Sequence, residues 1–438
     1  MKKKLIALGL AGLLALSLAG CTKGTPTPSP SDFDKAMTTP TTLTVWTWID
    51  ISKQVALFNA KYPAIKVDVV NAGQGAPQYT KLQTAIQAKS GEPDIAQLEF
   101  QYLPTFMLGN HLLDLKPYIG DITKEYPAWI ASQIAVNGGI WAVPQDTGPL
   151  GTLYRTDLLE KAGLKMPETW ADFATAVTTY HKANPNSYLT NFPPNDPGFQ
   201  IGLFWQAGAV PFRYDGQKTV TINLTSAPVK KVLDFWQPLL ASGAVSVDPD
   251  WADQWYQSLA NDTYATMLTA AWAPQFLQGT AEGTSGKWRA APLPQWDPAK
   301  PASGNWGGST EAVMASTKNP IQAAEFARFL NLDPACAKIS TEMYLFPPTT
   351  AMLKSPDFLN VKMDFYGGQT VNAVFAQISE TVNTDFGWLP FMDYAYSAFN
   401  DTLGKAITDR GDLNAGNAAW QDALVKYAQQ QGFTVKTS

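Results

Sequence analysis

From Leu43 the apolar spacing alternates between two residues and about three and a half, and this alternation limits the fold more than any other feature. Leu43, Thr44, Val45 and Trp46 read as a strand. Val55, Phe58 and Tyr62 then fall on one face of a helix that Pro63 ends, and Ile65, Val67 and Val69 alternate again. Tyr79, Leu82, Ala85 and Ile86 form the next helical stripe, stopped at Gly91, before the strand Asp94, Ile95, Ala96. Strand, helix, strand, helix, strand predicts an α/β protein with a mainly parallel, layered sheet. In such sheets ligands lie beyond the carboxyl ends of the strands. Those ends carry Trp46, Trp48 and Asp50, then Gln74, then Glu99, Phe100 and Gln101.

Later segments repeat the style with different punctuation. Thr169 and Asp172 fit a capping box that opens a helix to about His181. Ser226 precedes a helix whose Val229, Val232, Leu233, Trp236, Leu239 and Leu240 share one face. Asn319 and Pro320 start another, with Ile321, Ala324, Ala327 and Leu330 inward, and Asp333 caps a helix that has Pro334 at its first position. Residues 184–198 read as a Pro/Asn-rich loop. His181 is expected at the surface and His111 in a local loop.

The first residues address the chain. Lys2, Lys3 and Lys4 precede an apolar run from Leu5 to Leu18, too short to span a bilayer comfortably, and Leu18, Ala19, Gly20 and Cys21 close it. Residues 1–20 therefore read as a signal peptide. L-A-G-C resembles the lipobox of bacterial lipoproteins, which implies lipidation of Cys21 and a cell-membrane, extracytoplasmic location. Residues 21–42, with four prolines among Thr and Ser, are expected to form an extended tether. About 400 residues remain, with a net charge of -5 and no basic cluster, which suggests two lobes and excludes nucleic acid as the partner. Cys336 is the one other cysteine, so no intramolecular disulfide is expected in a chain lipidated at Cys21, and Cys336 should be buried packing.

Residues 138–170, GGIWAVPQDTGPLGTLYRTDLLEKAGLKMPETW, resemble the signature of the family 1 extracellular solute-binding proteins, the receptors of ABC sugar importers. That signature commonly reads G-x-x-Y/W-x-x-P, a small polar loop, a Tyr-rich strand, then K-D-L-F-x-x-A-G-L-x-x-P-x-T-W. TLTVWTW, FNAKYPAIKVDVV, GEPDIAQLE, QAGAVPFRYDGQKTVTI, WGGSTEAVMAST and NPIQAAEFARFLN agree in order. Arg155 departs from it, standing after Tyr154 where the family usually has Asn. The resemblance, which extends to a maltose-binding-protein-like receptor, implies a two-lobed periplasmic-binding-protein-like fold of type II, each lobe a mainly parallel sheet flanked by helices. Lobe 1 would hold residues 43–148 and 309–348, and lobe 2 residues 149–308 and 349–438. Hinge crossings would fall near Asp146–Gly151, Trp306–Thr310 and Leu345–Thr349.

A sugar offers an apolar C–H face and a rim of hydroxyls, so its site needs aromatic plates beside polar side chains. The chain has 15 Trp, 16 Tyr and 21 Phe, and many of its tryptophans stand in polar, loop-like contexts. The implied ligand-binding residues are Trp46, Trp48, Gln74, Glu99, Gln101, Asp146, Trp272, Trp306, Gly307 and Trp388, around a carbohydrate, more readily an oligosaccharide than a monosaccharide. No cofactor, metal or catalytic residue is expected. With His111 and His181 as the only histidines, no Ser-His-Asp set, zinc-ligand spacing or P-loop is present. A monomer delivering sugar to a membrane permease is the reading. A surface-anchored carbohydrate-active enzyme, with Glu99 and Asp146 across one bond, and a sugar sensor without transport are the alternatives.

Overall fold

The computed structural model describes residues 27–437. The signal peptide, Cys21 and the first part of the tether lie outside those residues. The rest of the expected tether is not extended: Pro30–Thr38 forms α1, and β1 (Thr41–Trp46) begins before Leu43. The Ser29 hydroxyl accepts from the Asp32 amide while the Asp32 carboxylate accepts from the Ser29 amide, so two otherwise orphaned donors are satisfied reciprocally. Met37 is only 5% exposed, and the Gln322 Nε2 donates to the Ala36 carbonyl. Phe33, Ala36 and Met37 face inward at helical spacing, but a stripe of one turn amid Pro, Ser and Thr is a short signal, which is why the sequence reads as a spacer here.

β1, α2 (Ser52–Lys61), β2 (Ile65–Val70), α3 (Ala76–Ala88) and β3 (Ile95–Glu99) follow the predicted order. A five-stranded sheet results, ordered β2, β1, β3, β10, β4, where β4 is Val143–Pro144 and β10 is Ser309–Val313. β2, β1 and β3 are parallel, whereas β10 runs antiparallel to both β3 and β4. The α4 helix (Ala128–Ile134) precedes β4.

A second sheet places β5 (Leu150–Arg155) between β8 (Thr266–Ala270) and β9 (Trp288–Pro292). Here the expectation of a mainly parallel sheet in each lobe needs correcting, because both neighbours are antiparallel to β5. β5 and β8 are buried on both faces, so they carry no alternation of the kind that marks an antiparallel strand. β6 (Phe212–Tyr214), β7 (Thr219–Ile222) and β11 (Thr434–Lys436) form a small third sheet.

Among the later helices, α5 (Trp170–Ala183) starts at the Thr169 cap, and α7 (Ala227–Ala241) buries the six residues of its predicted stripe. The loop read through Gly198 ends earlier: Asp196 accepts from the Phe199 amide and caps α6 (Pro197–Gln206). His181 is half-buried, stacked on Tyr188 at 4.8 Å, rather than fully at the surface. α8 is Ala273–Thr280, α9 is Pro320–Leu332 and α10 is Pro334–Glu342, with Asp333 capping α10 and Cys336 buried. Burial pushes the Cys336 thiol up to about 12. α11 (Val371–Ser379) covers the second sheet, followed by α12 (Met392–Asp401) and α13 (Leu413–Gln430).

Arg155 is fully buried, its guanidinium donating to both Asp157 oxygens at 2.7 Å and to Asp262 at 2.6 Å. It fastens the end of β5 to the first turn of the helix that follows and to the turn at Asp262, which is what its fork of donors suits. The chain passes from the first sheet to the second at residues 145–149 and returns at residues 293–308. Residues 343–349 leave α10, and the Thr147 amide donates to the Phe346 carbonyl, so two of these passages touch. Among the described residues no helix is long and apolar enough to cross a membrane.

Candidate functional site

Register brings the site together. Ser309 pairs with Glu99 because β10 is antiparallel to β3, so the passage Trp306–Gly308 enters beside the carboxyl end of β3. The passage Gln145–Pro149 leaves β4 along the same edge. The two are stitched to each other: the Trp306 amide donates to the Gly148 carbonyl at 2.8 Å, and the Gly148 amide to Asn305 Oδ1 at 2.9 Å. A Cβ on Gly148 would lie 2.0 Å from the Trp306 carbonyl oxygen, so the approach requires glycine there. Gly307 and Gly308 adopt φ of 74° and 96°, the left-handed region that other residues avoid.

A cavity of about 740 Å³ opens between these passages. Trp48, Gln74, Glu99, Gln101, Asp146, Trp272, Trp306 and Gly307 all line it. Trp46 and Trp388 do not. On β1, Leu43 and Val45 are buried in the core while Trp46, of the opposite parity, is half-buried and packs against it, so a single residue, Thr47, separates a wall tryptophan from a packing one. Trp388 donates to Gln133 Oε1 at 2.7 Å and packs against Trp205 and Phe386, joining α4 to the 384–388 segment.

The polar groups are held by neighbouring protein atoms. The Tyr79 hydroxyl donates to Glu99 Oε2 at 2.9 Å. Asp146 Oδ1 accepts from the Ser309 amide at 2.7 Å, tying the two passages directly. Burial raises the carboxyl groups of Glu99 and Asp146, the latter to about 7. Beneath them Thr47, Gln97, Gln145 and Glu311 form a buried hydrogen-bonded chain, with links of 2.6, 3.0 and 2.7 Å. Asn331 completes it on Glu311, and burial pushes that carboxyl up to about 8.

The principal addition to the predicted set is Trp251, which is 40% exposed in the cavity wall and has φ of 68°. For a bulky residue that conformation is strained, and such strain concentrates at ligand sites. Its indole donates to Asp196 Oδ2 at 3.2 Å. Asp196 lines the cavity as well, and burial raises its carboxyl. Trp251, Trp272 and Trp306 form a trio, with ring centroids 5.8, 6.0 and 5.0 Å apart. Phe276, on α8, packs 5.5 Å from Trp251 behind it, and Tyr256 and Tyr396 complete the aromatic lining. The position of Trp251 in a polar loop was its only sequence signal. Asp196 had none beyond its place before a proline.

The arrangement offers broad aromatic faces and carboxylate or amide acceptors around one cleft. Among the described residues no group of His, Cys, Asp and Glu has the arrangement of metal ligands.

Comparison with known proteins agrees with this architecture. Residues 46–335 match the family described as bacterial extracellular solute-binding protein. A lactose-binding protein of Rhizobium radiobacter is 26% identical over 395 residues, covering 84% of this chain and 86% of its own. An arabinooligosaccharide-binding protein of Halalkalibacterium halodurans is 24% identical, with 83% and 85% covered. Among solved structures, the ABC transporter associated binding protein of B. animalis subsp. lactis, in complex with β-1,6-galactobiose, superposes with a TM-score of 0.79 at 34% identity, covering 90% of this chain and 99% of that one.

Proposed function

The chain belongs to the bacterial extracellular solute-binding proteins, and from that premise we propose that it is the substrate-binding component of an ABC importer, taking a carbohydrate, most simply a short oligosaccharide, into the cleft. One observation carries the reading. The Trp251, Trp272 and Trp306 trio shares a cavity with Glu99, Gln101, Asp146 and Asp196, which is the pairing of aromatic plates and hydroxyl acceptors that a sugar requires. A volume of about 740 Å³ fits a ligand larger than a single small metabolite. The names of the relatives support the same class.

Residues 43–148 and 309–348 would form one lobe, now extended by α1, and residues 149–308 and 349–438 the other. The passages at 145–149, 304–309 and 343–349 would be the hinge. Ligand favours closure only by contacting both lobes better in the closed form. Cys21 would carry the lipid that holds the protein at the outer face of the cell membrane, beside the permease that receives the sugar, and a monomer suffices for that role. Binding without turnover distinguishes this from a carbohydrate-active enzyme.

The test is tryptophan fluorescence and calorimetry of residues 27–438 against β-1,6-galactobiose, lactose and arabinooligosaccharides, with analysis of the recovered sugar. Saturable binding with the sugar unchanged is expected, and cleaved products would establish the enzyme instead. Trp251→Ala should weaken binding about tenfold or more, since it removes a large apolar face from the ligand contact. Unchanged affinity in that variant would remove the trio from the site.

A further inference from the structure

The acidic groups lining the cleft are Glu99, Asp146 and Asp196, and no Lys, Arg or His lines it among the described residues. Their partners are neutral donors: the Tyr79 hydroxyl, the Ser309 and Phe199 amides and the Trp251 indole. None takes part in the ion pairs of the described residues, which lie elsewhere, as at Arg155 and Arg328. Behind Asp196 stands a further buried carboxyl, Asp250, whose pKa is raised first by burial and then by the Asp196 charge. Glu99 is likewise raised by burial and by Asp196, and Asp146 by burial and by Glu99. The aromatic wall has the same sign, because the face of an indole ring is the negative end of its quadrupole.

We infer that the cleft is a charge filter, admitting neutral or ammonium-bearing saccharides and turning away those that carry a carboxylate, sulfate or phosphate. The inference rests on the carbohydrate reading and names the class within it. An entering anion would be desolvated with no cation to compensate it, and above about pH 7, where Asp146 gives up its proton, against like charge as well. An ammonium group would meet carboxylate oxygens with lone pairs to spare and an indole face at once. Rejection by uncompensated charge is a separate device from attraction, and it needs no steric difference between the competing sugars.

The experiment is calorimetric titration of residues 27–438, in buffer more alkaline than the Asp146 value of about 7, with β-1,6-galactobiose, lactose and arabinobiose. It is followed by two analogues of whichever binds tightest: one ending in a carboxylate where the neutral sugar has its terminal hydroxymethyl, one with an amine replacing a ring hydroxyl. The carboxylate analogue should bind at least about tenfold more weakly than the neutral sugar, and the amine at least as tightly. Both differences should shrink towards 1 M salt, where screening shortens the reach of charge to about 3 Å. In Glu99→Gln and Asp196→Asn variants the ratio of carboxylate to neutral affinity should move towards one. A carboxylate analogue that matches the neutral sugar, or an amine that binds more weakly than it, overturns the filter while leaving the carbohydrate reading intact. Failure of all the neutral sugars to bind overturns both.

Discussion

At the scale of single residues, Asp146 couples the site to pH. Its carboxyl stands at about 7 in the folded chain against 3.8 as the ordinary value, because burial disfavours the charged form. Between those values the folded chain keeps a proton that the unfolded chain has released, so stability is fullest below about 4 and falls as pH rises through about 7. Glu311, raised to about 8 from 4.5, has the same sign and extends the loss upward. Asp146→Asn should therefore flatten the decline in stability of the ligand-free protein between about pH 4 and pH 7. Urea unfolding at several pH values checks it, and a variant curve parallel to the parent would refute the assignment. Part of the cleft's lining was visible as residue types: Trp48, Glu99 and Gln101 follow strand ends, and Trp272 and Trp306 stand in loops. Trp46 and Trp388 share those contexts and yet pack, because chemistry and position in sequence do not say which way a side chain points. The buried chain from Thr47 to Glu311 was illegible for a related reason, since it joins four residues far apart in sequence.

At the scale of elements, glycines at the passages decide how closely two backbones run. Gly148→Ala would set a Cβ 2.0 Å from the Trp306 carbonyl and 2.9 Å from the Trp272 ring nitrogen. The Trp272 indole itself donates to that carbonyl at 2.9 Å, so one substitution disturbs two members of the aromatic trio. A cost of about 1–3 kcal/mol in stability is expected, with weaker saccharide binding. Thermal melting and a binding isotherm check both, and a variant as stable as the parent would mean that the passages have room to separate. The helices with one-sided stripes, α7 above all, were legible because a half-buried helix writes its burial into a period of 3.6. β5, β8 and β10 were not, since strands buried on both faces show no alternation. α1 was not legible because its inward stripe, Phe33, Ala36 and Met37, is a single turn within a Pro/Ser/Thr-rich stretch.

At the scale of the whole molecule, two sheets are joined by passages that bind each other through Gly148, Asn305, Asp146 and Ser309. Those bonds anchor the base of the cleft, so motion about them would bring its walls together. A saccharide that bridges the walls should lower the radius of gyration in small-angle scattering. It should also add about 2.7 kcal/mol of stability at 100 times its Kd. Stabilisation with no change in scattering would leave binding but dismiss closure. The sequence by itself determined the class of fold, the helices whose one face is buried, and the kinds of residue the cleft would use, because periodicity and turn chemistry are local properties. The tertiary structure alone decided that β10 returns antiparallel beside β3, that Trp251 and Asp196 join the wall while Trp46 and Trp388 leave it, and that Glu99, Asp146 and Asp196 face one cavity with no cationic side chain among the described residues lining it. Those outcomes depend on contacts between distant segments, whose geometry no local pattern encodes.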